Sequence, residues 1–312
     1  MNKSIKKVLI TSSSDMLFSS FIRAAIYEKQ PYKFISIDNM TKHNLTNYYI
    51  NKDHPFYYGD TSDVNFLDVI FEIEKPDIVI HGSVESNDKH ILNNITSTQT
   101  IIDASLKYGV EKIIFVSNDK VYGSLEDDTE KSHLETDPYN PNNLFSASKA
   151  AGELLIKAAG IKYNIIRLAN CYGARQRKEK LIPKAIQSIL NNEKIVLSGQ
   201  GSKVRDWIYV KDAYLAILTI LQSAAPNETY NISSNNEFSV IEVIHKICNV
   251  MEKGHELISF IPYPTPKSDF RRGLDNNKLK ALGWKPQFKF SDGLKETKDW
   301  FQNNQWWYKN NL

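Results

Sequence analysis

Asn143-Leu144-Phe145-Ser146-Ala147-Ser148-Lys149-Ala150 opens a helix-forming run that continues to Ala159. An apolar strand, Lys112 to Ser117, precedes it, and another, Asn164 to Leu168, follows it. Parallel strands need a crossover between them, so strand, helix and strand at this spacing predict one unit of a parallel sheet. Residues four apart share a helix face. Phe145 and Lys149 therefore point into the same space, an aromatic ring beside an ammonium.

Outward from this unit the alternation repeats. Toward the N-terminus the pattern gives strands at Val8–Ile10, Phe34–Ile37 (ending in Asp38) and Asp77–His81, with helices at Met16–Glu28 and Lys89–Tyr108. This is the reading of an α/β protein with a doubly wound parallel sheet, whose ligand would sit beyond the strand C-termini. After Gly173 the grain changes. Helices are expected at Leu181–Leu190, Asp212–Leu221, Ser239–Met251 and about Ser291–Asn303, with short strands at Ile195–Leu197 and Thr229–Ile232. Ser198–Gly201 reads as a turn, and Pro262, Pro264 and Pro266 mark a loop. The C-terminal part is expected to be a smaller α/β cap for substrate. Residues 1–172 plus about 204–235 would form the main domain, and about 173–203 plus 236–312 the cap.

The composition is that of an ordinary globular chain: 312 residues, 41% hydrophobic and 24% charged. With 39 basic and 36 acidic residues the net charge is +3, too balanced to suggest a nucleic-acid or membrane surface as partner. Cys171 and Cys248 lie far apart without metal-ligand spacing, so free thiols and no metal are expected. The first residues lack the apolar core of a signal peptide, and no run is long enough to span a membrane. The expected compartment is the cytoplasm.

A series of short phrases in order now carries a resemblance: Val116–Gly123, Asn170–Pro183, Val204–Asp212, Glu228–Ile232 and Asp269–Pro286. They include Lys-Leu-Ile-Pro, Val-Arg-Asp-Trp-Ile-Tyr-Val and Glu-Thr-Tyr-Asn-Ile. The chain resembles an extended short-chain dehydrogenase/reductase, nearest in motif to the nucleotide-sugar 4,6-dehydratases of the dTDP-glucose type. The resemblance implies a Rossmann-like fold, NAD as cofactor and a dTDP- or UDP-hexose as ligand. It also implies a dimer built on the helices near Lys89–Tyr108 and Phe145–Ala159. In that family bound NAD oxidises C4 of the sugar, water leaves across C5 and C6, and the hydride returns to C6.

Three groups of residues carry that chemistry. The first holds the dinucleotide. The family's three loop glycines fall on Ser12, Asp15 and Phe18. Ser12 adds a Cβ where a tight turn favours glycine. Asp15 would set a carboxylate against a diphosphate, and Phe18 puts a ring where helix and strand must approach. Asp38 matches the ribose-binding acid, and Gly59-Asp60 the adenine-side pair. Gly82-Ser83-Val84 stands for small residues beside the nicotinamide ribose.

The second group transfers protons. Asn118 stands for a threonine that bonds the sugar's 4-oxygen, and Asp119 for the acid that protonates the leaving hydroxyl. Lys120 stands where a glutamate would remove the C5 proton. Phe145 stands for the tyrosine of the family's Tyr-x-x-x-Lys pair, while Lys149 is kept. Loss of one general base costs roughly 10²–10⁴ in rate, so family catalysis is expected to be weak or absent. Tyr122 and Tyr139 are the phenols that would replace the missing one in a rearranged site.

The third group grips the nucleotide and sugar: Glu85, Ser86, Asn94, Asn170, Lys180, Arg205, Asn231 and Arg271 by family position. The resemblance thus leaves three expectations open. The chain is a sugar-nucleotide binder with failing catalysis, an active enzyme with a rearranged site, or a structural subunit of an active homologue.

Overall fold

The computed structural model describes residues 5–40, 54–82, 91–125, 131–263 and 270–309. Its first layer is a seven-stranded sheet. The strands are β1 (Lys6–Thr11), β2 (Tyr32–Asp38), β3 (Phe56–Tyr58), β4 (Ile78–Gly82), β5 (Lys112–Asn118), β6 (Tyr163–Leu168) and, later in the chain, β10 (Glu228–Ile232). They run β10-β6-β5-β4-β1-β2-β3, every neighbouring pair parallel. A wholly parallel sheet is covered on both faces, which is why its strands read as unbroken apolar runs. Within β1, Val8 and Ile10 belong to one core cluster and Leu9 to the other, as the two-residue period requires.

Helices α1 (Met16–Tyr27) and α6 (Val210–Ser223) pack together on the first face. Helices α2 (Val64–Glu74), α3 (Asn93–Lys107) and α4 (Leu144–Ala158) cover the second. The winding reverses between β1 and β4, leaving a crevice at their C-terminal ends. The Rossmann-like expectation is met.

Beyond the sheet lie β7 (Asn170–Tyr172), α5 (Leu181–Leu190), β8 (Ile195–Ser198), β9 (Val204–Tyr209), β11 (Glu237–Ser239), α7 (Val240–Met251), β12 (Ile258–Ile261) and β13 (Arg271–Arg272), and the strand pairing joins β7 and β9, expected in the main domain, to the strands of the cap. The cap ends with α8 (Asn277–Lys280), α9 (Phe290–Asn303) and α10 (Trp306–Lys309). Strand β9 is its spine, paired with β11, β13 and β7, while β12 pairs β8. Helices α5, α7 and α9 pack on one another. The C-terminal aromatics seal them: Trp307 Nε1 donates to Gln176 O at 3.0 Å and the Tyr308 hydroxyl to Pro183 O at 3.0 Å. Among the described residues no helix is long and apolar enough to cross a membrane.

Candidate functional site

A cavity of about 420 Å³ opens where the crevice meets the cap, within the range of small-ligand sites. Its walls come from the start of α1, the ends of β4, β5 and β6, the first turn of α4, the start of α5, and β9 and β13. Asp15, Asn118, Asp119, Lys120, Phe145, Lys149, Asn170, Lys180 and Arg205 all line it, so most of the residues singled out in the sequence converge.

Helix α4 delivers its pair through a capping box. Asn143 Oδ1 accepts the Ser146 amide at 2.9 Å, and Ser146 Oγ accepts the Asn143 amide at 3.3 Å. Lys149 is 2% exposed; its ammonium donates to Val116 O at 2.7 Å and lies 4.4 Å from the Phe115 ring centroid. Burial lowers its pKa to about 7, against a smaller opposing pull from Glu153. The two departures from the family pattern touch each other: Lys120 Nζ lies 5.3 Å from the centroid of Phe145. Neither phenol considered as a replacement reaches the cavity. The Tyr122 hydroxyl donates to Asn231 Oδ1 at 2.7 Å and that of Tyr139 to Glu153 Oε2 at 3.0 Å, and neither ring lines the cavity.

Asn118 caps the short turn Asp119–Tyr122 by accepting the Lys120 amide at 3.0 Å. Asp119 is 2% exposed and pairs with Arg272 at 3.1 Å through Oδ1, while its Oδ2 has no hydrogen-bond partner among the described residues. Arg272 is the principal residue that sequence reasoning missed. It lines the cavity, whereas Arg271 turns away to grip Glu237 with two bonds, 2.6 and 2.8 Å. Successive residues of a strand face opposite ways, so recognising β13 would have split the pair. Arg205 lines the cavity while its guanidinium donates to Val204 O and Phe270 O at 2.6 and 2.9 Å. Lys120, Lys149, Lys180, Arg205 and Arg272 face Asp15 and Asp119 there, an excess of positive charge suited to an anion.

Other candidates are not brought to the cavity. Asn231 is fully buried, accepting from Tyr122 and donating to His133 O at 2.8 Å. Asn94 donates to Ser148 Oγ at 3.0 Å, holding α3 to α4. Asp60 accepts the Ser62 amide and hydroxyl, each at 2.8 Å, in its own turn. Glu85 and Ser86 lie outside the described residues.

The turn between β1 and α1 tests the expected dinucleotide. Ser12 adopts φ 51°, the left-handed backbone that glycine would take without strain. The amides of Ser13, Ser14, Asp15 and Leu17 donate to Ile37 O, Asp38 Oδ2, Ser12 O and Asp15 Oδ1. Asp38 Oδ1 accepts the Met40 amide at 2.7 Å, and burial raises the pKa of its carboxyl. Four amides of this turn are therefore bonded within the protein, and the Asp15 carboxylate caps α1 beside them. Phe18 is packed directly on Gly82: a Cβ added there would fall 2.2 Å from the ring. The glycine that lets helix and strand approach has moved from α1 to β4, and the ring fills the freed space. The turn thus departs from a dinucleotide cradle at all three loop positions.

The geometry agrees with comparisons against known proteins. The model of the NAD dependent epimerase/dehydratase family matches residues 20–233. The dTDP-D-glucose 4,6-dehydratase of Mus musculus is 31% identical over 98% of this chain and 91% of its own. That of Haemophilus influenzae is 33% identical over 95% and 98%. Among solved structures, the Bacillus anthracis dTDP-glucose 4,6-dehydratase in complex with NAD superposes with a TM-score of 0.90 at 28% identity, covering 97% of this chain and 99% of that one. The Streptomyces venezuelae enzyme, also with NAD bound, gives 0.88 at 28% identity over 96% and 98%. With matches of this extent, the chain belongs to the NAD dependent epimerase/dehydratase family.

Proposed function

We propose that this chain binds a nucleotide-activated hexose, of the dTDP or UDP type, and performs the hydride and proton transfers of a 4,6-dehydratase weakly or not at all. One observation carries the reading. The two positions where the family's proton-transfer groups would stand hold Lys120 and Phe145 in mutual contact, 5.3 Å apart, on the wall of an otherwise cationic cavity. A protonated ammonium accepts no proton and a phenyl ring donates none. The grip is better kept: Asn170, Lys180, Arg205 and Arg272 all line the cavity.

Calorimetry with NAD and NADH, and with a panel of dTDP- and UDP-hexoses, tests this. Sugar nucleotide binds without dinucleotide, and added NAD yields no dehydrated product. Tight binding of both, with product at an enzymatic rate, would favour instead an active dehydratase or epimerase with a rearranged site, for which the retained Lys149 is the supporting feature. The assembly reading rests on α3 and α4, which pack together and leave Leu106, Leu144 and Leu154 about half exposed. That apolar surface suits a second copy or an active homologue, and co-purification decides between them.

A further inference from the structure

On the cap, away from the cavity, two exposed histidines meet. His245 lies on α7, and His255 opens the short turn His255–Leu257 that follows it. Their Nδ1 atoms stand 3.3 Å apart. His255 Nε2 lies 2.9 Å from Asn249 Oδ1. An amide oxygen only accepts, so that nitrogen carries the proton, and the Nδ1 lone pair of His255 accepts the Nδ1–H of His245. Two imidazole nitrogens bound to zinc at about 2.0–2.1 Å in tetrahedral geometry are separated by about 3.3–3.4 Å. The observed spacing is the bite of such a pair. The rings lie 22° from parallel with centroids 5.4 Å apart; once the His245 proton moves to its Nε2, rotation about the broad terminal torsion turns both Nδ1 lone pairs onto a shared ion.

We propose that His245 and His255 form a surface site for a borderline transition-metal ion, zinc, nickel or copper(II). Imidazole suits these ions and magnesium does not use it. Among the described residues no cluster of three His, Cys, Asp or Glu is placed to hold a metal, so the histidine pair supplies two ligands and water the rest. Asn249 acts from behind, holding His255 in the ligating tautomer as outer partners of zinc histidines do. The other described histidines are committed inside the fold: His54 to Ser36, His81 to Thr11 and Thr98, and His133 to Asp137. A bound ion ties the turn after Gly254 to α7. Gly254, at φ 99°, is seated on Ile189 of α5, the helix whose first residues border the cavity.

Titration of the full chain with zinc chloride, with magnesium chloride as control, tests the site near neutral pH. One zinc binds per chain, and magnesium gives no signal. Asn249→Ala weakens zinc by about 10–100-fold, and His245→Ala or His255→Ala by more. Because these side chains are exposed, the variants keep the melting temperature of the metal-free chain. Unchanged zinc binding in the His245→Ala/His255→Ala double variant, or no binding to the parent chain at millimolar zinc, overturns the proposal.

Discussion

Lys120 and Phe145 are best understood as one change rather than two. A glutamate at 120 would lose its favourable neighbour if 145 were a phenyl, and a lysine there gains a ring to rest on. Such a contact is worth about 0.5–1 kcal/mol where water reaches it and about 2 where it does not. Phe145→Tyr with Lys120→Glu returns both proton-transfer groups beside Lys149, whose amine titrates at about 7. With NAD added, this double variant still releases no sugar nucleotide lighter by one water, because Asp15 and the bonded amides of the β1–α1 turn remain. Turnover appears only when Ser12, Asp15 and Phe18 are also made glycine. Mass spectrometry of the product distinguishes the outcomes, and dehydration by the double variant alone would show that the turn is no barrier.

At the scale of the element, α4 decides whether that pair is presented at all. Its first turn has no acidic residue to favour the helix dipole, so the Asn143–Ser146 box is the chief device at this end. Asn143→Ala lowers stability by about 1 kcal/mol, read as a fall in the urea midpoint with an unchanged slope. A fall in the slope instead would mean that the fold itself had loosened. This helix and the parallel strands around it were legible in the sequence because their apolar periods are clean. Helix α2 was not: Val64, Val69 and Ile73 are more than half exposed and blur its stripe, although Asp63 caps it by accepting two amides. The site was legible to the same degree. Residues on β5, α4 and the start of α5 reached the cavity as expected. Asn231, Asn94 and Asp60 instead serve the fold, a distinction that spacing does not encode. Arg271 and Arg272 are not distinguishable by pattern, because a two-residue strand shows no alternation.

At the scale of the molecule, two buried ionisable groups shape stability against pH from opposite sides. Asp206 is 1% exposed on β9, and burial raises its carboxyl from 3.8 to about 7. Lys149, buried at the cavity, falls from 10.5 to about 7. Between about pH 4 and 7 the folded chain holds on Asp206 a proton that the unfolded chain has lost, so this term weakens the fold as pH rises. Above about 7 the unfolded chain holds on Lys149 a proton that the folded chain has shed, so stability climbs toward the ordinary lysine value. Each slope is at most about 1.4 kcal/mol per pH unit, and the imidazoles of His54 and His81, lowered by burial to about 4 and about 3, add a rise that opposes the Asp206 fall below about pH 6.5. Urea unfolding at acid, neutral and alkaline pH separates them. Asp206→Asn makes stability climb more steeply with pH below about 7 and leaves the alkaline limb, while Lys149→Met removes the alkaline rise and leaves the acid limb. A Lys149→Met variant that keeps the full alkaline rise would mean that the parent's ammonium finds water in the cavity and stays charged through neutral pH, and that the site is wetter than its walls imply.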